Sequence, residues 1–199
     1  MIAMRKKLPT VLDKKEVLGL LAIPNKRYKN GIRNKAILSL MVNTGLRVSE
    51  VSNLQAKDIN LKEGKLRVIE GKGSKDRDLI IGNKQALELL REYNRIRPKS
   101  SYFFTSLEEG KEGKQISVRY LQTMVKRYSE RAKINKNVSP HTLRHTFATE
   151  FYRETKDIET LRKILGHSDI STTQIYVTLA NIDVEKAMNG FSGFSIEIH

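Results

Sequence analysis

His141, Arg144, His167 and Tyr176 follow one another in the last third of the chain. They occupy His141-Thr142-Leu143-Arg144-His145 and Leu165-Gly166-His167-Ser168, with Tyr176 nine residues beyond His167. Of the chain's four histidines, three fall in these two segments. An arginine, imidazoles and a phenol so grouped suit a phosphate under attack by tyrosine. A guanidinium offers a planar fork of donors to non-bridging oxygens. Imidazole moves protons or donates hydrogen bonds near neutral pH, and a phenol oxygen can carry a covalent intermediate. A second arginine lies in Thr44-Gly45-Leu46-Arg47-Val48-Ser49-Glu50, where a glycine turn between an apolar helix and a short polar one would push Arg47 into a pocket.

The elements that must position these groups are mostly helical. Asp13-x-x-Glu16 reads as a capping box opening a first helix. A basic loop, Pro24 to Gly31, precedes an apolar helix from about Asn34 to Asn43; Gly45 ends it, and a short helix runs from Ser49 to Leu54. Short strands are expected at Ile59 to Leu61, Lys65 to Ile69 and Asp78 to Ile81, separated by turn-prone Glu63-Gly64 and Gly71-Lys72-Gly73-Ser74-Lys75. Helices follow at Lys84 to Arg95 and Val118 to Lys133, with Phe103-Phe104 as a buried extended piece between them. Ser139 as N-cap and Pro140 at the first helical position open the helix that carries His141, Arg144 and His145. Asp157 caps the next helix and Gly166 stops it; Thr172 to Tyr176 and Asn181 to Met188 read as two further short helices. The fold class is mostly α with one small antiparallel β-sheet.

At 199 residues the chain has room for one domain with a sizeable core. Its 37 Lys+Arg against 22 Asp+Glu give a net charge of +15, which argues for a polyanionic partner through counterion release. Composition alone does not separate DNA from RNA, a ribosomal role or a membrane surface. With no cysteine, disulfides, thiolate metal sites and cysteine nucleophiles are excluded. Apolar runs such as Ala36 to Val42 are too short to span a bilayer, and no apolar signal core follows the N-terminal charges. A cytoplasmic protein is the simplest expectation.

Taken together, Thr44 to Glu50, His141-Thr142-Leu143-Arg144-His145, Leu165-Gly166-His167 with Tyr176, and the Gly71 to Arg77 turn resemble the tyrosine recombinase (phage integrase) family, of the Xer-like kind. The resemblance runs from about residue 9 to residue 185, with four motifs in order. It implies the family's catalytic-domain fold and site-specific cutting and rejoining of double-stranded DNA with no cofactor or metal. Tyr176 would form a 3′-phosphotyrosyl link and release a 5′-hydroxyl. Arg47 and Arg144 would clamp the non-bridging oxygens. Lys72 would protonate the leaving oxygen, His141 would assist proton transfer at the tyrosine, and His167 would hydrogen-bond the phosphate. Glu50 would orient the pocket. Partners would be DNA and other protomers in a tetramer on paired sites, with neither a membrane nor a small-molecule substrate. The phenol's ordinary pKa near 10 would be favoured toward phenolate by the two arginines and a nearby base. Domain limits are expected at 1–8 for an extension, 9–188 for the catalytic domain and 189–199 for a tail that either docks on a neighbour or frays.

Other readings of the same residues stand beside this one. His141 and His145 have the spacing of a metal pair, but Thr142-Leu143-Arg144 lacks the metalloprotease glutamate and an adjacent arginine repels a cation. His145 reads as structural. Arg47 by itself is a surface arginine paired with Glu50, and Lys75 shares the turn with Lys72. The basic groups Lys26-Arg27, Lys72-Lys75-Arg77 and Lys126-Arg127 are either solvated faces or phosphate contacts. At the level of activity, the rivals are a type IB topoisomerase-like enzyme, a DNA-binding module on a degenerate recombinase, or a fragment of a longer recombinase without independent activity.

Overall fold

The computed structural model describes residues 8–69 and 76–189, with side chains through residue 181. Lys72, Lys75 and the tail from residue 190 onward lie outside the described residues. Helix α1 (Lys14–Ala22) opens on the expected box: Asp13 accepts the Glu16 N–H and Glu16 accepts the Asp13 N–H, both at 2.8 Å. Helix α2 (Lys29–Thr44) begins at Lys29, not near Asn34. The helix reaches back over exposed Lys29 and Asn30, and its next residues bury polar groups that have partners. Arg33 donates to the Thr105 carbonyl at 2.9 Å and Asn34 to the Tyr128 hydroxyl at 3.0 Å. Gly31 is required there, since a Cβ would fall 1.8 Å from the Asn25 carbonyl oxygen.

After α2, Gly45 takes a left-handed φ of 65° and the short α3 (Val48–Asn53) follows. Three antiparallel strands, β1 (Ile59–Asn60), β2 (Lys65–Val68) and β3 (Arg77–Ile80), pair in the order β1-β2-β3. The register sets Leu66 opposite Leu79 and Val68 opposite Arg77. Leu66, Val68 and Leu79 point into the core, as period-two alternation requires. Helix α4 (Lys84–Ile96), capped by Asn83, and α5 (Val118–Arg131), capped by Ser117, flank the buried Phe103-Phe104 piece. Tyr93 stacks on Phe104 with centroids 5.5 Å apart.

Helix α6 (Pro140–Thr155) starts at Ser139 and Pro140 as expected, and α7 (Ile158–Leu165) runs from its Asp157 cap to left-handed Gly166. After a 3-10 turn at Ile170–Thr172, one helix, α8 (Gln174–Asn189), replaces the two short helices expected from sequence. Nothing in Val177-Thr178-Leu179-Ala180 breaks it, and Leu179 and Ala180 are buried.

Two apolar clusters result. The larger joins α2, α4, α5 and the sheet; the smaller gathers Ala148, Leu161, Leu165, Tyr176 and Leu179. Helix α6 serves both, with Leu143 in the first and Ala148 in the second. Among the described residues no helix is long and apolar enough to cross a membrane.

Candidate active site at the end of helix α7

The site forms where α2, α3, β3, α6 and α7 end or begin near one another. Arg144, near the start of α6, is 6% exposed. Its Nη1 donates to the Gly45 carbonyl at 2.7 Å and its Nη2 to the Leu165 carbonyl at 2.8 Å. It thereby ties the turn after α2 to the turn after α7. Both turns depend on a left-handed glycine; at Gly45 a Cβ would also fall 2.4 Å from Phe147. Burial, followed by the repulsion of Arg47, pulls the Arg144 pKa down to about 10. No carboxylate forms an ion pair with Arg144 among the described residues. Its hydrogen-bond partners are two carbonyls and an imidazole, none of which carries a full negative charge.

His167 completes this first set. Arg144 Nη2 lies 3.0 Å from its Nε2, and its Nδ1 lies 3.0 Å from the Thr173 hydroxyl. A guanidinium can only donate, so Nε2 accepts and the ring proton sits on Nδ1, donating to Thr173. Burial first, then Arg144 and Arg47, hold the His167 pKa down to about 4, so the ring is neutral at pH 7.

Arg47 and Glu50 form the second set. Glu50 accepts the Arg47 backbone N–H at 2.7 Å, closing the N-terminus of α3, and Arg47 Nη1 at 2.9 Å. Arg77, the first residue of β3, forks onto the same carboxylate with Nη1 at 3.0 Å and Nη2 at 2.9 Å. Arg77 was expected on a solvated face or against DNA phosphates. Instead its side chain is 9% exposed, because it lies two residues from buried Leu79 and so shares the inward face of β3.

These arginines share one anchor. The carbonyls at the end of a helix lack partners within it and carry partial negative charge. Here Ile164 accepts from Arg77 Nε at 2.7 Å, Leu165 from Arg144 Nη2 at 2.8 Å and Gly166 from Arg47 Nη2 at 3.3 Å. His167 accepts from Arg162 Nη1 at 2.9 Å. Four successive carbonyls thus each hold a guanidinium, and two of those belong to the predicted phosphate clamp.

Tyr176 enters from α8 with 2% exposure, inside the smaller apolar cluster. Its hydroxyl shares a hydrogen bond of 3.1 Å with His145 Nδ1. Phenolate was the expected tendency. The balance runs the other way here: burial pushes the phenol up, and the opposing pull of Arg144 is the smaller effect. His145, read from sequence as structural, touches the phenol, whereas His141 one turn earlier on α6 is exposed. The structure therefore brings together Arg47, Glu50, Arg144, His167 and Tyr176 and leaves His141 at the surface, with Lys72 outside the described residues. Sequence reasoning missed Arg77, His145 and Thr173. The alternation of β3 was a usable signal for Arg77, while His145 and Thr173 depend on packing that has no sequence period.

Solved structures share this fold. XerA recombinase superposes with a TM-score of 0.81 at 30% identity, over 96% of this chain and 68% of that one. The catalytic domain of bacteriophage HP1 integrase gives 0.62 at 25% identity, over 96% and 99%. XerH, solved on palindromic difH substrate after cleavage, gives 0.75 at 30% identity, over 92% and 53%. The fold is that of tyrosine recombinase catalytic domains. In sequence, tyrosine recombinase XerD of Staphylococcus epidermidis is 39% identical over 189 residues, and a XerD of Staphylococcus aureus is 38% identical over 193. Each alignment takes in 94% of this chain, which spans 63% of the length of these relatives. The Phage integrase family model matches residues 10–181, and the chain belongs to that family.

Proposed function

We propose that this chain cuts and rejoins double-stranded DNA at specific sites through a covalent link to Tyr176. The observation that carries this reading is the pairing of two arginines, Arg47 and Arg144, on neighbouring carbonyls of one helix end, with His167 bonded to Arg144 and Tyr176 at their edge. A phosphodiester seated there meets two guanidinium groups in a partly buried pocket, where donors aimed at developing negative charge lower the barrier most.

The phenol oxygen attacks phosphorus, the bond to the 5′-oxygen breaks, and a phosphotyrosyl ester forms. The phenol proton passes to a histidine of α6, either His145, which touches it now, or His141, the sequence expectation. The leaving 5′-oxygen takes a proton, a role assigned to Lys72. Rejoining reverses each transfer, so no high-energy cofactor is consumed. His167 supports Arg144 through Nε2, and hydrogen-bonding the phosphate, as the resemblance implies, requires a proton on that nitrogen. Because Tyr176 is covered, the first turn of α8 must shift before attack.

The catalytic unit is placed at residues 9–188, with 1–8 an extension and 189–199 a tail. Its partners are duplex DNA and further copies of the protein on paired sites, in the cytoplasm. The reading is tested with a nicked DNA that traps the covalent intermediate, carrying the difH sequence or randomised arms, read on a denaturing gel. Wild type forms a DNA-linked species; Tyr176→Phe forms none. No adduct on a DNA shown to bind would leave a DNA-binding module instead.

A further inference from the structure

We propose that Thr173 is a positioning residue whose hydroxyl pins His167 Nδ1 and so keeps Nε2 turned toward Arg144 and the phosphate; this rests on the recombinase reading above. Thr173 is buried, at 0% exposure, between exposed Thr172 and exposed Gln174. Its hydroxyl lies 3.0 Å from His167 Nδ1 and has no other hydrogen-bond partner among the described residues. Burying a hydroxyl costs free energy unless it is bonded, so a residue that only filled this space would be better served by valine. The imidazole is what the hydroxyl bonds.

The turn before α8 presents that hydroxyl. Asp169 accepts the Ser171 N–H at 2.9 Å, and the Thr173 N–H donates to the Ile170 carbonyl at 2.8 Å. The Thr173 carbonyl then accepts the Tyr176 N–H at 3.0 Å. One residue thus holds the imidazole with its side chain and the main chain of the nucleophile with its carbonyl.

A hydroxyl also suits the change that His167 has to make. In the resting site Nε2 accepts from Arg144, and Nδ1–H donates to Thr173. Donation to a phosphate needs the proton on Nε2. The neutral ring reaches that form by giving the Nδ1 proton to water and taking one at Nε2, with no net change of charge. Nδ1 then needs a donor. A carbonyl or carboxylate facing it could only accept and would favour the resting tautomer, whereas a hydroxyl accepts from Nδ1–H or donates to bare Nδ1. Thr173 therefore holds the ring in one orientation in both forms.

Two assays test the assignment: single-turnover trapping on saturating nicked DNA, and nitrogen NMR of the DNA-free protein labelled at histidine. The His167 signals are those missing from His167→Ala. Wild type is expected to show His167 as one tautomer, with an Nδ1–H proton slow to exchange with water. Thr173→Val removes the hydroxyl at nearly constant volume. It is expected to lose the slow proton and to slow adduct formation by about 10-fold or more, with duplex affinity changed by less than about 3-fold. Thr173→Ser restores the hydroxyl and is expected to recover the slow proton and to come within about 3-fold of the wild-type rate. Thr173→Ala carries the comparison if the valine variant loses its cooperative unfolding transition. In a His167→Ala background, Thr173→Val is expected to change the rate by less than about 2-fold, because Thr173 acts through the ring. A residue that merely shaped the start of α8 would slow both backgrounds alike. A wild-type protein without the slow proton, a serine variant as slow as valine, or an undiminished effect of valine without His167 would overturn the assignment. An absence of adduct in every form, with the slow proton present in wild type and serine and lost in valine, would overturn the recombinase reading and support the hold of Thr173 on His167.

Discussion

His145 Nδ1 and the Tyr176 hydroxyl lie 3.1 Å apart, with ring centroids 5.7 Å apart and planes tilted by 46°. The contact joins α6 to α8 at the edge of the smaller core, where the phenol is buried. On the proposed function it must break before attack, which makes release of the phenol a separate event from the chemistry.

That separation can be measured without DNA. Tyr176 in the wild type is expected to resist nitration by tetranitromethane, while exposed Tyr28 reacts, as followed by peptide mass spectrometry. His145→Ala removes the polar tether and is expected to speed nitration of Tyr176 severalfold, at a stability cost of about 1 kcal/mol in urea unfolding. Equal nitration of Tyr176 in both proteins would show that His145 does not hold the ring.

His167 supplies a pH dependence with a definite sign. Its folded pKa is depressed to about 4 from an ordinary 6.5, by burial first and then by Arg144. The unfolded chain therefore takes up a proton before the folded one does. The contribution is fully present above pH 6.5 and is lost as pH falls toward 4. The ring is only half buried, so after discounting for solvent screening we expect about 1–2 kcal/mol of lost stability between pH 7.5 and 4.5. Urea melts across this range check it: His167→Gln should flatten the slope, leaving the smaller part due to His145, whose pKa is lowered as well.

Arg144 is expected to tolerate no substitute. Lysine keeps the charge but cannot span the Gly45 and Leu165 carbonyls, so Arg144→Lys should slow trapping by about 100-fold or more. Arg144→Ala leaves both carbonyls without this donor and should also cost about 2–4 kcal/mol of stability. Trapping within tenfold of wild type for the lysine variant would show that charge alone suffices.

Gly45 is the backbone counterpart of that prediction. A side chain there meets φ 65° and a contact of 2.4 Å with Phe147. Gly45→Ala should destabilise the protein by about 2–4 kcal/mol, read by thermal or urea unfolding. An unchanged transition would mean that Phe147 moves aside at no cost.

Much of this was legible in the residues. Asp13, Ser139-Pro140, Asp157 and Gly166 mark helix ends by local chemistry that needs no tertiary partner, and each stands where it was expected. The motifs around Arg47, Glu50, Arg144, His167 and Tyr176 converge because helix ends are where side chains from distant segments can meet. What stayed hidden depends on pairing across the chain. The polar start of α2 looks like loop until Thr105 and Tyr128 are seen to satisfy it. The reach of His145, and not His141, to Tyr176 is a matter of how α6 is rotated against α8. The buried fork of Arg77 exists only because Glu50 and the end of α7 are brought to it.

The end of α7 has one further consequence, for how this site can change by mutation. Its arginines meet main chain, so Ile164 and Leu165 can be exchanged for residues of similar bulk without altering what the guanidinium groups bind. Insertions and deletions are another matter. Losing one residue between Asp157 and Gly166 would rotate the helix end by about 100° and carry carbonyls 164, 165 and 166 away together. Substitution of Ile164 or Leu165 would leave this anchor in place, while a change in the length of this one helix would abolish it at a stroke.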